Sequence, residues 1–352
     1  MSSITEMPEL VMEKIIEFSD FKAVLTLRQV CRDFRNFIDD LNDSKLPDSK
    51  FTKIQILSEK KDNKIILDFM NSDDSSHRLE YSEIGNSRSF NRKTTLLGNA
   101  DIVDVAIPDL ELILKFQKST LEFLYFTFDD FQLQNDSSLH VLPIKLSNML
   151  NVSGRKIKTR YFNIKTSDNS QIMSVLPIAE PETLQVLNLL SIDDDEQRSN
   201  LHSSYDDGVR EIELDEIVKT EQWKNAERMN CYLRVLNLKV EYVSHFPRLF
   251  MKIPSITARD LDFLKTTYIS SPQFKYAFFE LIDFNEHDDI SNLWGPAFDS
   301  GYSKHFWYFR RKNAEEKILR VEFSLYYRTF SYRTSELEDV LPGAVVQDYN
   351  EG

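Results

Sequence analysis

Much of what would announce a chemistry is missing from this chain of 352 residues. Its two cysteines, Cys31 and Cys231, lie in separate regions. They supply neither a disulfide framework nor a cysteine zinc site, and they point to a reducing, intracellular compartment, cytoplasmic or nuclear. Only 8 glycines are present, which argues against a glycine-rich nucleotide site and against a turn-dense all-β fold. No run of about eighteen apolar residues occurs, so no membrane span is expected. The first residues carry acids rather than a basic and apolar leader, so no signal peptide is expected either. Six histidines, at 77, 140, 202, 245, 287 and 305, lie too far apart to place two ligands on one helix face. His287-Asp288-Asp289 comes nearest to a metal triplet, but adjacent residues diverge in direction, and the polar segment is expected to be a loop. No nucleophile elbow, phosphate-binding loop or kinase signature is found. A chain without catalytic, metal or cofactor residues is the expectation.

Basic charge is also in short supply. With 43 Lys and Arg against 57 Asp and Glu the net charge is -14, and no stretch of sequence forms a basic stripe, so nucleic acid is not an expected partner. Residues 191–230 hold 12 acidic against 5 basic side chains, half of that excess. Within them Asp193-Asp194-Asp195-Glu196 is expected to be a solvated, mobile loop to about Gly208 rather than a cation site.

What the chain has is apolar mass: 41% hydrophobic residues with 25 Phe and 14 Tyr, enough for two domains. The first forty residues are especially rich. After Pro8, with Glu9 and Glu13 in the first turns, Val11, Ile15 and Phe18 follow a helical stripe. Val30, Phe34, Phe37 and Ile38 form a second. Leu10, Met12, Ile16, Val24, Leu25 and Leu27 lie off both stripes, so a three-helix unit of this size is expected to expose an apolar partner surface.

Met7-Pro8, the helix that follows, Leu27-Arg28-Gln29-Val30-Cys31-Arg32-Asp33-Phe34-Arg35 and Ile38-Asp39 together resemble the F-box. In that family a leading Leu-Pro is followed by an apolar helix and a Leu-Arg-x-Val-Cys-Arg segment. Methionine replaces the leading leucine and Phe34 the commoner tryptophan, both changes of similar character. The resemblance implies docking on the Skp-type adaptor of SCF (Skp, cullin, F-box) ubiquitin ligases, and through it on cullin. Met7, Pro8, Val11, Ile15, Leu25, Leu27, Val30, Cys31 and Phe34 are the implied contacts, and Asp43, past the helices, is expected to be inert. The other reading of the same residues is a helical subdomain folded onto the rest of the chain.

Residues 51–57 and 64–70 read as a β-hairpin with a third strand near 78–81, followed by a polar connection to about Asn99. From Asp101 a helix is expected, its start or a kink set by Pro108. Residues 120–126, 183–189 and 232–238 share one cadence. Further strands are expected at 159–164, 248–253 and 275–282, with helices at 138–150, 171–179, 214–226 and 257–269. This order suits an irregular leucine-rich-repeat-like α/β solenoid, or an ordinary α/β domain whose buried strands resemble one another.

Glu221-Gln222-Trp223-Lys224-Asn225-Ala226 resembles the hallmark of the FTH domain, the F-box-associated homology region expanded in nematodes. Residues 178–184, Ser244-His245-Phe246 and residues 256–261 fit the same family, over about 105–300. With the F-box, the resemblance implies a nematode F-box A-type protein. Physically, Trp223 reads as a core anchor, and Thr257 with Asp260 as a helix cap. Residues 305–311 and 318–327 read as a C-terminal hairpin. Trp307, Tyr308, Arg310, Arg311 and Arg320 would there form a basic aromatic surface or simply cap the solenoid.

The expected organisation is thus an α+β/α/β chain. It comprises an F-box at 1–45, a β-rich connection at 46–100, an FTH domain at 101–330 and an acidic, flexible tail at 331–352. The expected function is a non-enzymatic substrate receptor for ubiquitin-dependent degradation, binding a Skp-type adaptor and an unknown protein substrate. Two alternatives stay open: an interaction scaffold working without cullin, and a hydrolase hidden in the α/β region.

Overall fold

The computed structural model describes residues 7–59, 61–90, 93–129, 138–166, 168–192, 210–301, 303–312 and 314–348. The acidic run at 193–196, the segment up to Gly208 and His202 lie outside them. The chain divides into two compact units, Met1–Arg160 with Ile178–Thr183, and Tyr161–Pro177 with Leu184–Gly352.

The first unit opens with three helices, α1 (Glu9–Phe18), α2 (Phe21–Val30) and α3 (Arg32–Asp40). An antiparallel meander follows, made of β1 (Lys53–Glu59), β2 (Lys64–Met70), β3 (Ser76–Ser82), β4 (Ser87–Phe90) and β5 (Lys93–Leu96). The last two strands occupy the stretch expected to be a polar connection. Every residue of β5 is exposed, so neither face leaves an alternating pattern in the sequence.

Helix α4 (Ile102–Phe116) starts at its Asp101 cap, whose carboxylate accepts from the Val103 amide at 2.7 Å. Pro108 therefore does not set the start. It sits inside the helix on the exposed side, while Ile102, Val103, Ala106, Leu110, Ile113, Leu114 and Phe116 bury the opposite face. That burial outweighs the hydrogen bond a proline cannot donate. Tyr81 of β3, fully buried, donates to Asp109 of α4 at 2.6 Å, and Arg88 of β4 pairs with the same carboxylate at 2.8 Å. Strand β6 (Leu121–Phe128) returns parallel to β1, and α5 (Leu142–Ser153) packs on α4.

The second unit is built on parallel neighbours: β7 (Thr159–Lys165), β8 (Val186–Leu190), β10 (Arg228–Val235), β11 (Arg248–Ile253) and β12 (Tyr276–Leu281), with the short β9 (Glu211–Ile212) beside the end of β10. Helices α6 (Asn169–Val175), α7 (Glu221–Asn225), α8 (Ala258–Ser270) and α9 (His287–Trp294) lie between strands, with several 3-10 turns. The shared cadence does not mark equivalent positions, because β10 begins at Arg228 and residues 236–238 fall beyond its end. His287-Asp288-Asp289, expected to be a loop, opens α9, where two acids suit the positive end of the helix. The Thr257 cap of α8 forms as expected: Thr257 Oγ1 accepts from the Asp260 amide at 3.1 Å, and Asp260 accepts from the Thr257 amide at 3.3 Å.

After β12 the pairing turns antiparallel. Strand β16 (Thr329–Glu336) pairs with both β12 and β15 (Ala314–Ser324), which continues to β14 (Lys304–Arg311). The short β13 (Phe298–Asp299) and β17 (Val346–Gln347) flank β14. The stretch expected to be a flexible tail supplies most of β16, whose Phe330 and Tyr332 alternate into the core, and β17. The expected basic aromatic surface is not assembled. Trp307, Tyr308 and Arg311 are buried, and the Trp307 indole donates to the Gly295 carbonyl at 3.1 Å.

Candidate functional site

The N-terminal helices are set by local chemistry. Pro8 precedes α1, and its carbonyl accepts from Val11 at 2.8 Å. Ser19 closes α1 with its hydroxyl on the Ile15 carbonyl at 2.6 Å, and Asp20 caps α2 through the Ala23 amide at 2.7 Å. Cys31, extended at φ -155°, ends α2 and starts α3. Arg28 then joins α2 to α3 by a two-pronged bond to Asp39, Nε to Oδ1 at 2.6 Å and the second nitrogen to Oδ2 at 2.9 Å.

The interior of this helical region is not its own. Ile16, Val24, Ile38, Leu41 and Leu46 form one buried cluster with Phe116 from the end of α4, and Phe21, Leu25, Leu27, Phe37 and Leu112 pack against it. The Phe21 ring meets Phe116 at 5.0 Å and Phe51 at 5.4 Å, both edge to face. Lys118 donates to the carbonyls of Ser44, at 2.9 Å, and Leu46, while Arg155 pairs with Asp43. Asp43 is therefore not an idle residue past the helices.

The inward face of α1 is the reverse of the expected one. Ile16 is buried, whereas Phe18 is 84% exposed, Leu10 67%, and Val11 is exposed too. Both sides of α1 are apolar, so periodicity alone did not decide which side meets the core. At the junction of α2 and α3, Val30 is 64% exposed and Cys31 is exposed. Of the residues implied as contacts, Met7, Pro8, Val11, Val30 and Cys31 lie at the surface and Ile15 is part-buried. Leu25 and Leu27 lean into the shared cluster, and Phe34, 5% exposed, is buried. Leu10 and Phe18, the most open apolar side chains of α1, were not among them. The sequence signal for them was the pairing of Phe18 with Leu10 on the side opposite Ile16.

A family model of the F-box domain matches residues 4–46, the three helices and the turn that follows. A model of the FTH domain matches residues 144–296. The chain is an F-box protein with an FTH domain. The meander, α4 and β6 fall between the two matches. No curated protein and no solved structure matches the chain.

Within the FTH domain Trp223 is 1% exposed. Its indole donates to the Tyr242 carbonyl at 2.9 Å, its ring stands edge-on to Phe246 at 5.1 Å, and His245 lies 3.3 Å from its carbonyl oxygen. Partial desolvation lowers the pKa of His245, which is otherwise exposed, opposed by its bonds to backbone. Such enclosure makes Trp223 a packing residue. Burial also pushes the Cys231 thiol up to about 12, which leaves it protonated and unreactive. Among the described residues no group of three or more His, Cys, Asp or Glu is placed to hold a metal ion, and no helix is long and apolar enough to cross a membrane.

Proposed function

We propose that this protein is the substrate-recognition subunit of an SCF-type ubiquitin ligase. F-box domains as a class dock on Skp-type adaptors, and the observation that carries the reading is that the matched F-box leaves Leu10, Val11, Phe18 and Val30 open to solvent. Such a surface gains from being covered by an apolar partner. The adaptor in turn engages cullin, and the FTH domain holds a protein substrate. The chain itself is non-catalytic in this reading. It works by proximity, turning encounter between a substrate lysine and a charged conjugating enzyme into a nearly intramolecular event. We read the parallel run from β7 to β12 as an irregular leucine-rich-repeat-like solenoid, capped by the antiparallel strands that follow.

Copurification of the full chain with a Skp-type adaptor and cullin tests the proposal. Recovery of all three supports it. Adaptor without cullin identifies a scaffold instead, and failure to capture the adaptor removes the docking assignment.

A further inference from the structure

The register of the second unit lines up basic residues that are far apart in sequence. Arg228 of β10 pairs with Arg248 of β11, Arg248 with Tyr276 of β12, Tyr276 with Arg333 of β16, and Arg333 with Arg320 of β15. Residues paired directly across strands project to the same face. The neighbouring row on that face runs Asn163, Asn188, Asn230, Phe250 and Phe278. Its amides bond head to tail, Asn188 to Asn163 and Asn230 to Asn188, each at 2.6 Å. Its two phenyl rings stack at 5.5 Å, only 7° from parallel. The opposite face carries Leu249, Met251, Ala277, Phe279 and Tyr332, all buried, with the Tyr332 hydroxyl on the Leu261 carbonyl of α8. Solvent reaches the arginine face: Arg228 and Arg333 are exposed, and Arg248, Tyr276, Phe250 and Phe278 are partly so.

Two pairs of this row, Arg228 with Arg248 and Arg333 with Arg320, set like charges directly opposite one another, an arrangement that destabilises a sheet. Arg320 is relieved by Glu322 at 2.9 Å, a carboxylate it shares with Lys304. Arg228, Arg248 and Arg333 have no ion pair among the described residues, in a chain with more acids than bases. Arg228 donates to the Asn230 amide oxygen at 3.2 Å, and the Arg333 guanidinium lies 5.4 Å from the centre of the Tyr276 ring. Two further acids lie on this face toward the strand ends, Glu280 in register with Lys252 and Glu211 paired with Arg234 at 3.7 Å. The row crosses five strands, about 19 Å at the usual strand spacing, which an extended peptide spans in about six residues.

We propose that this face binds an extended acidic segment of a protein, its carboxylates on Arg228, Arg248 and Arg333 and its apolar side chains on the Phe250–Phe278 stack. This rests on the reading of the FTH domain as the substrate-binding half and names the chemistry it selects. The test uses the full chain and a fluorescein-labelled peptide of alternating Glu and Leu, with its Gln-for-Glu counterpart, followed by anisotropy. Binding of the Glu peptide at least tenfold tighter than the Gln peptide, weakened at least tenfold by Arg248→Glu and by raised salt, supports the proposal. Equal binding of the two peptides, no binding of either, undiminished binding by Arg248→Glu, or tighter binding of a single-stranded RNA of the same length overturns it. Because like charges are separated, Arg248→Gln is expected to hold or raise the melting temperature, and a fall would make Arg248 a structural residue and sink the idea. Adaptor capture measured alongside separates the two readings: its loss in wild type bears on the F-box alone, whereas peptide binding reports on the sheet.

Discussion

The F-box and the arginine face are unfinished in opposite ways. In the F-box three ion pairs tie charges together, Arg28 on Asp39, Lys14 on Glu17 and Lys45 on Glu13, while Phe18, Leu10 and Val30 stand in water. On the sheet the apolar side chains are stacked against one another, while Arg228, Arg248 and Arg333 go without carboxylates among the described residues. An apolar surface left open rewards any well-fitting apolar partner and is insensitive to salt. A row of unpaired cations rewards only an anion and weakens as salt rises. The contrast suits a docking site that is satisfied once by a constant partner and a second site that discriminates among many.

The largest effect is expected in the interior of the FTH side. Trp223→Ala should cost about 3–5 kcal/mol, since a large buried ring is removed. Calorimetry should show a sharp fall in melting temperature while adaptor capture persists. An unchanged melting temperature would move Trp223 out of the core. Nearly as large is Phe116→Ala, at about 3 kcal/mol, because its ring belongs to the cluster that supports the F-box helices. This variant should lower both stability and adaptor capture, and retention of full capture would show that the F-box folds without α4.

Val30→Asp and Phe18→Asp act on the open apolar surface of the F-box. Each should leave the melting temperature nearly unchanged and weaken adaptor binding by about 2 kcal/mol or more, as loss of a well-covered contact does. Titration calorimetry on the full chain reads this directly. Leu25→Asp is a poorer probe, since Leu25 packs against the shared cluster and a charge there would disturb the fold. Arg28→Ala should cost only about 1 kcal/mol, because both partners are partly solvated, and urea unfolding resolves a change of that size.

The smallest expected effect is one of acidity. Partial desolvation lowers the pKa of the surface-exposed His245 from its ordinary 6.5, and it does the same to the partly buried His77 in the other unit. The neutral rings favour the fold, so their contribution is complete above pH 6.5 and declines as pH falls through the lowered folded values. Melting temperatures followed from pH 7.5 down to 5 should decline, and His245→Gln should flatten the part of the slope that belongs to the FTH side.

Much of the FTH side was legible because its strands are apolar on a regular beat and its caps are local. Strand β11 falls where alternation put it, and the Thr257 and Asp260 cap is written within four residues. The face of α1 was not legible, since Ile16 and Phe18 are both apolar and the cluster that takes in Ile16 is completed by Phe116, a hundred residues on. The β4–β5 hairpin was hidden for the opposite reason, because strands without a buried side leave no pattern. The pairing of β16 could have been found from Phe330 and Tyr332 two apart, a signal diluted by the polar and basic residues between and beside them. The arginine row was beyond reach, as its four arginines come from four separate strands and sequence registers no basic stripe.

The antiparallel closure at β12 also sets a timetable. On the ribosome β12 is complete at Leu281, but the strand that covers its outer edge begins only at Thr329. At common rates of synthesis, about 5–20 residues per second, that edge stays bare for a few seconds, with Phe278 and Phe279 along it. A bare, aromatic strand edge is a template for another chain. Any message that stops between residues 282 and 328 would make this passing exposure permanent, so such truncated chains should accumulate as aggregates, even though they retain the whole span matched by the F-box and all or nearly all of that matched by the FTH family.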